Sequence, residues 1–411
     1  MRRRVPPVTA HLGSLASVAA LLVLLGACSD LLTSAPDGGD LFDSPLEGLT
    51  AAEMLAFTRG DREFGRRFAP SSGLGPIFND VSCASCHSGD GRGRLENALV
   101  RIGTPDDGMA ALIGGPQIQT RAIYGAEREP MPTGIPISLR LPPPVFGVGL
   151  IEAIPDATIL ALADPDDADG DGISGRPNFA QPAGYVPGEE PGSGAAPRLG
   201  RFGRKAQVTS LLEQTVEAYH QDMGITSDFR PIENRNPLAS HPHDAADEVA
   251  DPEISAATVL AVVNYLRLLA PPAPGPMTPL REQGQALFHS AGCGSCHVPT
   301  LQTGPSSVAA IANRAVTLYS DLLLHDMGAA LADDRPDGGA SGREWRTAPL
   351  WGLRLMQRFL NGEAFLLHDG RARSVEEAIL LHGGEGQASR DAFAALTDAE
   401  RRALLDYVSS R

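Results

Sequence analysis

A mainly α-helical fold in two similar halves, each enlarged by long loop insertions, is what this sequence predicts, and three observations predict it. A five-residue stretch occurs twice, as Cys83-Ala84-Ser85-Cys86-His87 and as Cys293-Gly294-Ser295-Cys296-His297. The segment ahead of it is repeated too: Arg62-Glu63-Phe64-Gly65 before Phe68 is matched by Arg281-Glu282-Gln283-Gly284 before Phe288. Helix-opening capping patterns recur along the chain, at Thr50–Glu53, Ser210–Glu213, Ser374–Glu377 and Thr397–Glu400.

The repeated stretch carries the chemistry. Residues three apart share a face of a helical turn. Two thiols so placed can add across the two vinyl groups of one haem, and the adjoining imidazole then coordinates its iron; this is the c-type haem attachment signature. The rival reading is zinc, which paired Cys-x-x-Cys also binds. A tetrathiolate site would not need a His directly after both pairs. Cys83, Cys86 and His87 would therefore hold one haem, and Cys293, Cys296 and His297 a second. Small cytochromes c commonly place a Gly and an aromatic on the helix before the haem cysteines. The prediction is thus of two cytochrome c-like haem domains, at 49–270 and 277–411.

Each element follows from local signals. The capping box at Thr50 opens a helix expected to run to about Phe68, and Gly73-Leu74-Gly75-Pro76 breaks it before the first motif. From Gly89 to Pro144 the density of Gly and Pro argues for loops and short extended pieces. A helix opens at Ser210 and closes at Gly224, and a polar excursion fills 225–252. Ser255 to Ala270 is strongly apolar and should be core. Pro271-Pro272-Ala273-Pro274-Gly275-Pro276 stops it and marks a boundary. Pro279 stands at the first position of the helix leading into the second motif. Two closing helices follow Ser374 and Thr397.

The N-terminus is an address. Arg2, Arg3 and Arg4 precede an apolar run from Leu15 to Leu25 and small residues, as in a secretory signal. Leu25-Gly26-Ala27-Cys28 is similar to a bacterial lipobox. Residues 1–27 would be removed, Cys28 would carry lipid, and residues 28–48 would form a tether at a membrane face. A membrane-spanning anchor and ordinary cleavage are the rival readings. With Cys28 lipidated, all five cysteines have a role. The expected place is the bacterial cell envelope, facing the periplasm. Loss of residues 1–27 would shift the formal charge from -16 to about -19. Such acidity argues against nucleic acid and suits steering of a basic redox partner. Lys205 is the sole lysine among 34 basic residues, where a compact ammonium stands in place of the rigid guanidinium fork.

Five further stretches carry a family resemblance: Gly73-Leu74-Gly75-Pro76-Ile77-Phe78-Asn79, Gly200-Arg201-Phe202-Gly203-Arg204-Lys205-Ala206, Asp222-Met223-Gly224-Ile225-Thr226, Trp345-Arg346-Thr347-Ala348-Pro349-Leu350-Trp351-Gly352 and His368-Asp369-Gly370-Arg371-Ala372. In this order, over nearly all of the mature chain, the sequence resembles the di-haem oxidoreductases, distant kin of the bacterial di-haem cytochrome c peroxidases. The resemblance implies one haem per half, a redox partner protein such as a small cytochrome or cupredoxin, and a small oxidant as substrate. His382 stands where peroxidase kin place the Met that ligates their C-terminal haem, so His382 is the expected sixth ligand there; Met327 and Met356 are the alternatives. Asp222-Met223 aligns with a Glu-Met pair whose Glu works in the distal pocket. Asp222 is the first candidate for moving a proton between peroxide oxygens and Glu152 the second; His220 and Tyr124 are further candidates near the first haem. Phe202 replaces a Trp that bridges the haems, with Trp345 and Trp351 as substitutes. Lys205, in the same segment, is a candidate for the reactive pocket or a haem carboxylate.

Separately, Asp167, Asp169 and Asp171, with Gly172 next and Ile173 supplying a carbonyl, match the start of a calcium loop, although its twelfth position is Asn178 rather than Glu. Reduction of a peroxide is the function expected. A pure electron carrier and oxidative maturation of a partner protein are the rivals.

Overall fold

Each predicted helix cap is in place in the computed structural model, which describes residues 38–103, 112, 114–240 and 247–411. Thr50 and Glu53 close a reciprocal capping box over α1 (Ala51–Phe64). The first cysteine motif forms a single turn, α2 (Cys83–Cys86), capped by the Ser82 hydroxyl. Short α3 (Val148–Glu152) follows. Ser210 caps α4 (Leu211–Glu217), whose chain continues as a π-helical turn through Asp222. Ser255 caps α5 (Ala256–Leu268), the most apolar helix, which buries Val259, Val262, Val263 and Tyr265. Thr278 caps α6 (Pro279–Ser290), with Pro279 in the first turn. Ser374 caps α7 (Val375–Leu380), and a second full capping box opens α8 (Asp398–Ser409). The signal segment and Cys28 lie outside the described residues. Among the described residues, no helix is long and apolar enough to cross a membrane.

The expectation of a mainly α chain in two cytochrome c-like halves is corrected. Helix accounts for 34% of the structure and strand for 11%, with several small sheets among the described residues, so the chain is not plainly mainly α. Among the described residues, five small antiparallel sheets occupy the insertions. The largest sets Leu99–Ile102 between Gln117–Ile118 and Ile137–Arg140. Leu324–Asp326 pairs with Glu344–Arg346, which places His325 opposite Trp345. Capping patterns report where helices begin, not how much of the chain they hold. These strands are at most four residues long, too short for alternation to signal. One of them inverts the usual pattern: Ser138 and Arg140 are buried while Ile137 and Leu139 are exposed. Arg140 is buried because it pairs with Asp337 at 2.5 Å and Asp333 at 3.4 Å.

What does recur between the halves is a helix crossing. In α1, a Cβ at Gly60 would stand 2.1 Å from Ala261 O and 2.5 Å from Tyr265 Cβ of α5. In α6, a Cβ at Gly284 would stand 2.1 Å from Ala403 O and 2.7 Å from Tyr407 Cβ of α8. Only glycine lets the helix backbones approach this closely. Four residues on, Phe64 and Phe288 are both buried. The repeat is therefore Gly60/Phe64 with Gly284/Phe288, each crossing an Ala-x-x-x-Tyr face. The sequence register, which set Gly65 against Gly284, is wrong because Gly65 is only the C-cap of α1. One hydrophobic core runs from Phe42 to Leu355, drawing on residues before and after the proline run.

Candidate functional site

Two cavities, of about 180 and 210 Å3, each receive one cysteine motif. Cys83, Cys86 and His87 line the first; Cys293, Cys296 and His297 line the second. The cysteines are free thiols in separate pairs, so the four do not converge on one tetrathiolate metal. Burial pushes the Cys83 thiol up to about 12 and the Cys293 thiol up to about 11.

The two motifs present their histidines alike. His87 N–H donates to Cys83 O and His297 N–H to Cys293 O, both at 3.0 Å. His87 Nδ1–H donates to Gly91 O (3.3 Å) and His297 Nδ1–H to Tyr319 O (3.0 Å). That leaves Nε2 of His297 as a lone-pair donor with its tautomer set by the main chain, as iron-ligating histidines require; the His87 ring meets a second main-chain acceptor, Pro143 O, besides Gly91 O. Burial lowers both imidazoles to about 4, so both are neutral at pH 7. The donor set in each cavity therefore fits a covalently mounted haem: two thiols, one oriented neutral imidazole and a largely apolar wall.

The cavities differ in what else they offer. His382 lines the second, beside His297, and donates Nδ1–H to Ala378 O at 2.7 Å, leaving Nε2 free. Burial lowers its basicity as well. Met327 also lines this cavity, whereas Met356 is core beyond it. In the first cavity His87 is the lone imidazole among the described lining residues, and Met223 is the lone thioether.

Asp222 also lines the first cavity. It ends the π-helical turn after α4, a local irregularity common at functional sites. Gln117 Nε2 donates to its Oδ1 at 2.6 Å, which leaves Oδ2 without a protein hydrogen bond among the described residues. Burial raises this carboxyl to about 6, against the opposing pull of Gln117 and Arg101. Phe202 and Trp351 line the same cavity, and Trp345 lines the other.

Other sequence candidates stand elsewhere. Glu152 lines neither cavity: it accepts Leu211 N at 3.0 Å and pairs with Arg267 at 2.6 Å, tying α3 to α4 and α5. Lys205 is fully buried outside both cavities, and all three ammonium donors are used, on Asp333 Oδ1 (2.8 Å), Arg335 O (2.8 Å) and Ser341 O (2.7 Å). His220 is buried with Nε2 near Ile232 O (2.9 Å) and lines neither cavity. Tyr124 is fully exposed. In the acidic loop, the carboxylates of Asp164, Asp167 and Asp169 draw together, without Asp171, whose Oδ1 accepts Ile173 N. Asn178 is not the missing ligand there: it is 1% exposed and its amide holds Lys205 O and Asp337 O.

The residue that sequence reasoning missed is His325. Buried against the second cavity, it donates to Asp321 Oδ2 (2.8 Å) and Glu385 Oε2 (2.7 Å). Burial opposes its charge, but hydrogen bonds to Asp321, Cys296 and Glu385 prevail and push it up to about 12. With both ring nitrogens engaged it is an imidazolium, not a ligand. Its partners lie 4 and 60 residues away, so no short motif announces it.

The sequence matches no curated protein. Among solved structures, a Kuenenia stuttgartiensis hydrazine synthase pressurised with xenon covers 100% of both chains at 16% identity and a TM-score of 0.39. A MauG-like protein associated with microbial copper homeostasis matches 40% of this chain and 56% of its own at 18% identity and a TM-score of 0.25. Neither likeness is close enough to assign a residue. The pattern of the family described as "Di-haem oxidoreductase, putative peroxidase" matches residues 31–103 and 131–411, both cysteine motifs included. The chain accordingly belongs to the di-haem oxidoreductase family, with haem as its implied cofactor.

Proposed function

We propose that the protein reduces a peroxide in its first cavity, using electrons delivered by way of the second. The carrying observation is the unequal supply of iron ligands. The second cavity is lined by three neutral imidazoles, His297, His368 and His382, of which His297 and His382 have Nδ1 held by a main-chain carbonyl, whereas the first offers one imidazole, His87, beside the Met223 thioether. An iron held on both sides by imidazole suits electron transfer, and an open or weakly held sixth position suits reaction. Covalently attached haems, mounted on Cys83 and Cys86 and on Cys293 and Cys296, would supply the one-electron chemistry.

The chain's own residues supply the rest. His87 and His297 orient through main-chain carbonyls, which hold both rings in place. Apolar side chains, among them Phe64, Phe146 and Ile151, make up much of the first cavity's wall. A peroxide admitted there meets Asp222. Its free Oδ2 takes the proton from one oxygen and returns it to the other, with Gln117 holding Oδ1 in place. A carboxyl at about 6 is ionised enough to accept that proton at pH 7 and acidic enough to give it back.

The same proposal includes export, lipid attachment at Cys28 and a basic redox partner drawn to an acidic surface. It also includes calcium in the 164–171 loop, with Asp164 beside Asp167 and Asp169.

Peroxide consumption by the purified, reduced, haem-loaded chain tests the reading, with EPR spin state taken on the same sample. One high-spin and one low-spin haem with peroxide consumed is the expected result. Asp222→Asn should then slow the reaction with peroxide by roughly 10²–10⁴-fold. Two low-spin haems and no consumption would make the protein an electron carrier instead.

A further inference from the structure

Five residues line both cavities: Arg92, Arg204, Arg346, Ala348 and Pro349. The three that carry charge are all cations. Arg92 and Arg204 are each 8% exposed, and Arg346 is part-buried. Their protein partners are neutral. Arg92 Nη1 donates to Phe365 O and Leu367 O, while its buried Nε has no partner. Arg204 Nε and Nη2 both donate to Leu141 O, at 3.1 and 2.7 Å. Arg346 donates to Gly203 O (3.1 Å) and Thr347 O (3.3 Å). Among the described residues, no carboxylate lies within ion-pair distance of any of the three. Arg140, Arg201, Arg267 and Arg335, by contrast, each meet an acid.

Like charges gathered in a dry interior without anions are strongly unfavourable. Arg204 shows this directly: burial first, then the neighbouring Arg92, Arg346 and Arg140, drive its basicity well down, with Asp369 opposing from beyond ion-pair distance. The segments are also locked together, because Arg346 N–H donates to Arg204 O at 3.0 Å. The wall is therefore rigid, cationic, shared and short of anions. The chemistry that would satisfy it is a carboxylate arriving from each side, and guanidinium is the group best shaped to receive one.

We infer that Arg92, Arg204 and Arg346 form one clamp that receives the ionised carboxylates of both haems and so ties the two reduction potentials to a single patch of charge. This rests on the two-haem reading. A cation beside a haem stabilises its reduced, more negative state. Removing a shared cation therefore lowers both potentials, whereas removing a cation private to one cavity lowers only one.

The test is optical spectroelectrochemistry on the full haem-loaded chain as wild type, Arg204→Gln, Arg204→Lys and Arg346→Gln, each with and without added acetate. The expected result is a fall in both midpoints for each Gln variant, most of it recovered in Arg204→Lys, with acetate making no difference. Arg346→Gln, at a less buried position, decides the matter should Arg204→Gln not fold. Potentials that stay put, or a fall confined to one haem, overturn the clamp. So does a wild-type potential that responds to acetate, because the arginines would then serve a soluble anion. Haem content measured on the same samples keeps the two ideas apart. Fewer than two haems in the wild type sinks the two-haem reading together with the clamp, whereas two haems with unmoved potentials overturn the clamp alone.

Discussion

Replacing Lys205 with Met is the sharpest probe of the sole lysine, whose placement makes it a structural lock. The ammonium sits 2.8 Å from Asp333 Oδ1 and donates to two main-chain oxygens, with no solvent exposure. It also stands 4.3 Å from the centre of the Trp345 ring, which stacks on His368 at 3.7 Å. At 2.8 Å the Coulomb attraction is about 6 kcal/mol at an effective dielectric of 20, and desolvation of both charges offsets most of it. Taking away the cation leaves Asp333 with the Arg335 main-chain N–H at 3.0 Å and Arg140 at 3.4 Å. It also leaves Arg335 O and Ser341 O facing a methyl group. Breaking a buried pair costs ~3–5 kcal/mol, and each deprived acceptor ~1–3 kcal/mol; the terms overlap, so the expected loss is about 3–5 kcal/mol. Urea unfolding followed by circular dichroism measures it. Lys205→Arg should not restore the loss, because a planar fork cannot place three donors around one point. A Lys205→Met chain within about 0.5 kcal/mol of wild type would refute the lock. A chain that folds with two haems yet no longer consumes peroxide would return Lys205 to the chemistry.

Further outcomes follow from the same structure. Asp222 accepts a proton only when ionised, and burial raises it to about 6; the rate with peroxide should therefore climb as pH passes about 6, and Asp222→Asn should abolish that inflection in stopped-flow records. His382→Met should raise the potential of one haem and leave the spin state at the first cavity unchanged by EPR. Gly284→Ala would set a Cβ 2.1 Å from Ala403 O and should cost about 1–3 kcal/mol. Gly65→Ala, whose nearest contact is 3.6 Å away, should be close to neutral by the same unfolding assay. Chelator should lower the melting temperature if the 164–171 loop binds calcium, and an Asp167→Ala variant should then lose that response.

Much of the site was legible because its signals are local. Cys83 to His87 and Cys293 to His297 are contiguous, and a thiol–thiol–imidazole run needs no tertiary partner to be recognised. Asp222 and His382 came from stretches that align with a family; Asp222 lines the cavity of the first cysteine motif and His382 that of the second. Helix starts were legible for the same reason, since a cap is a bond between residues three apart. The sheets were not, because strands this short leave no periodicity and one buries Ser138 and Arg140 in place of apolar residues. Glu152 was misleading: an acid in an apolar run looks functional until Arg267 appears beside it.

By itself, the order of residues determined which side chains could hold a cofactor, because attachment depends on spacing within one turn. Only the tertiary structure decided how many imidazoles each cavity receives, which acids are spent on ion pairs, and that three arginines lining both cavities have, among the described residues, no carboxylate at ion-pair distance. Those are sums over groups distant in sequence, and burial sets their strength. No local pattern encodes the solvent that a fold removes.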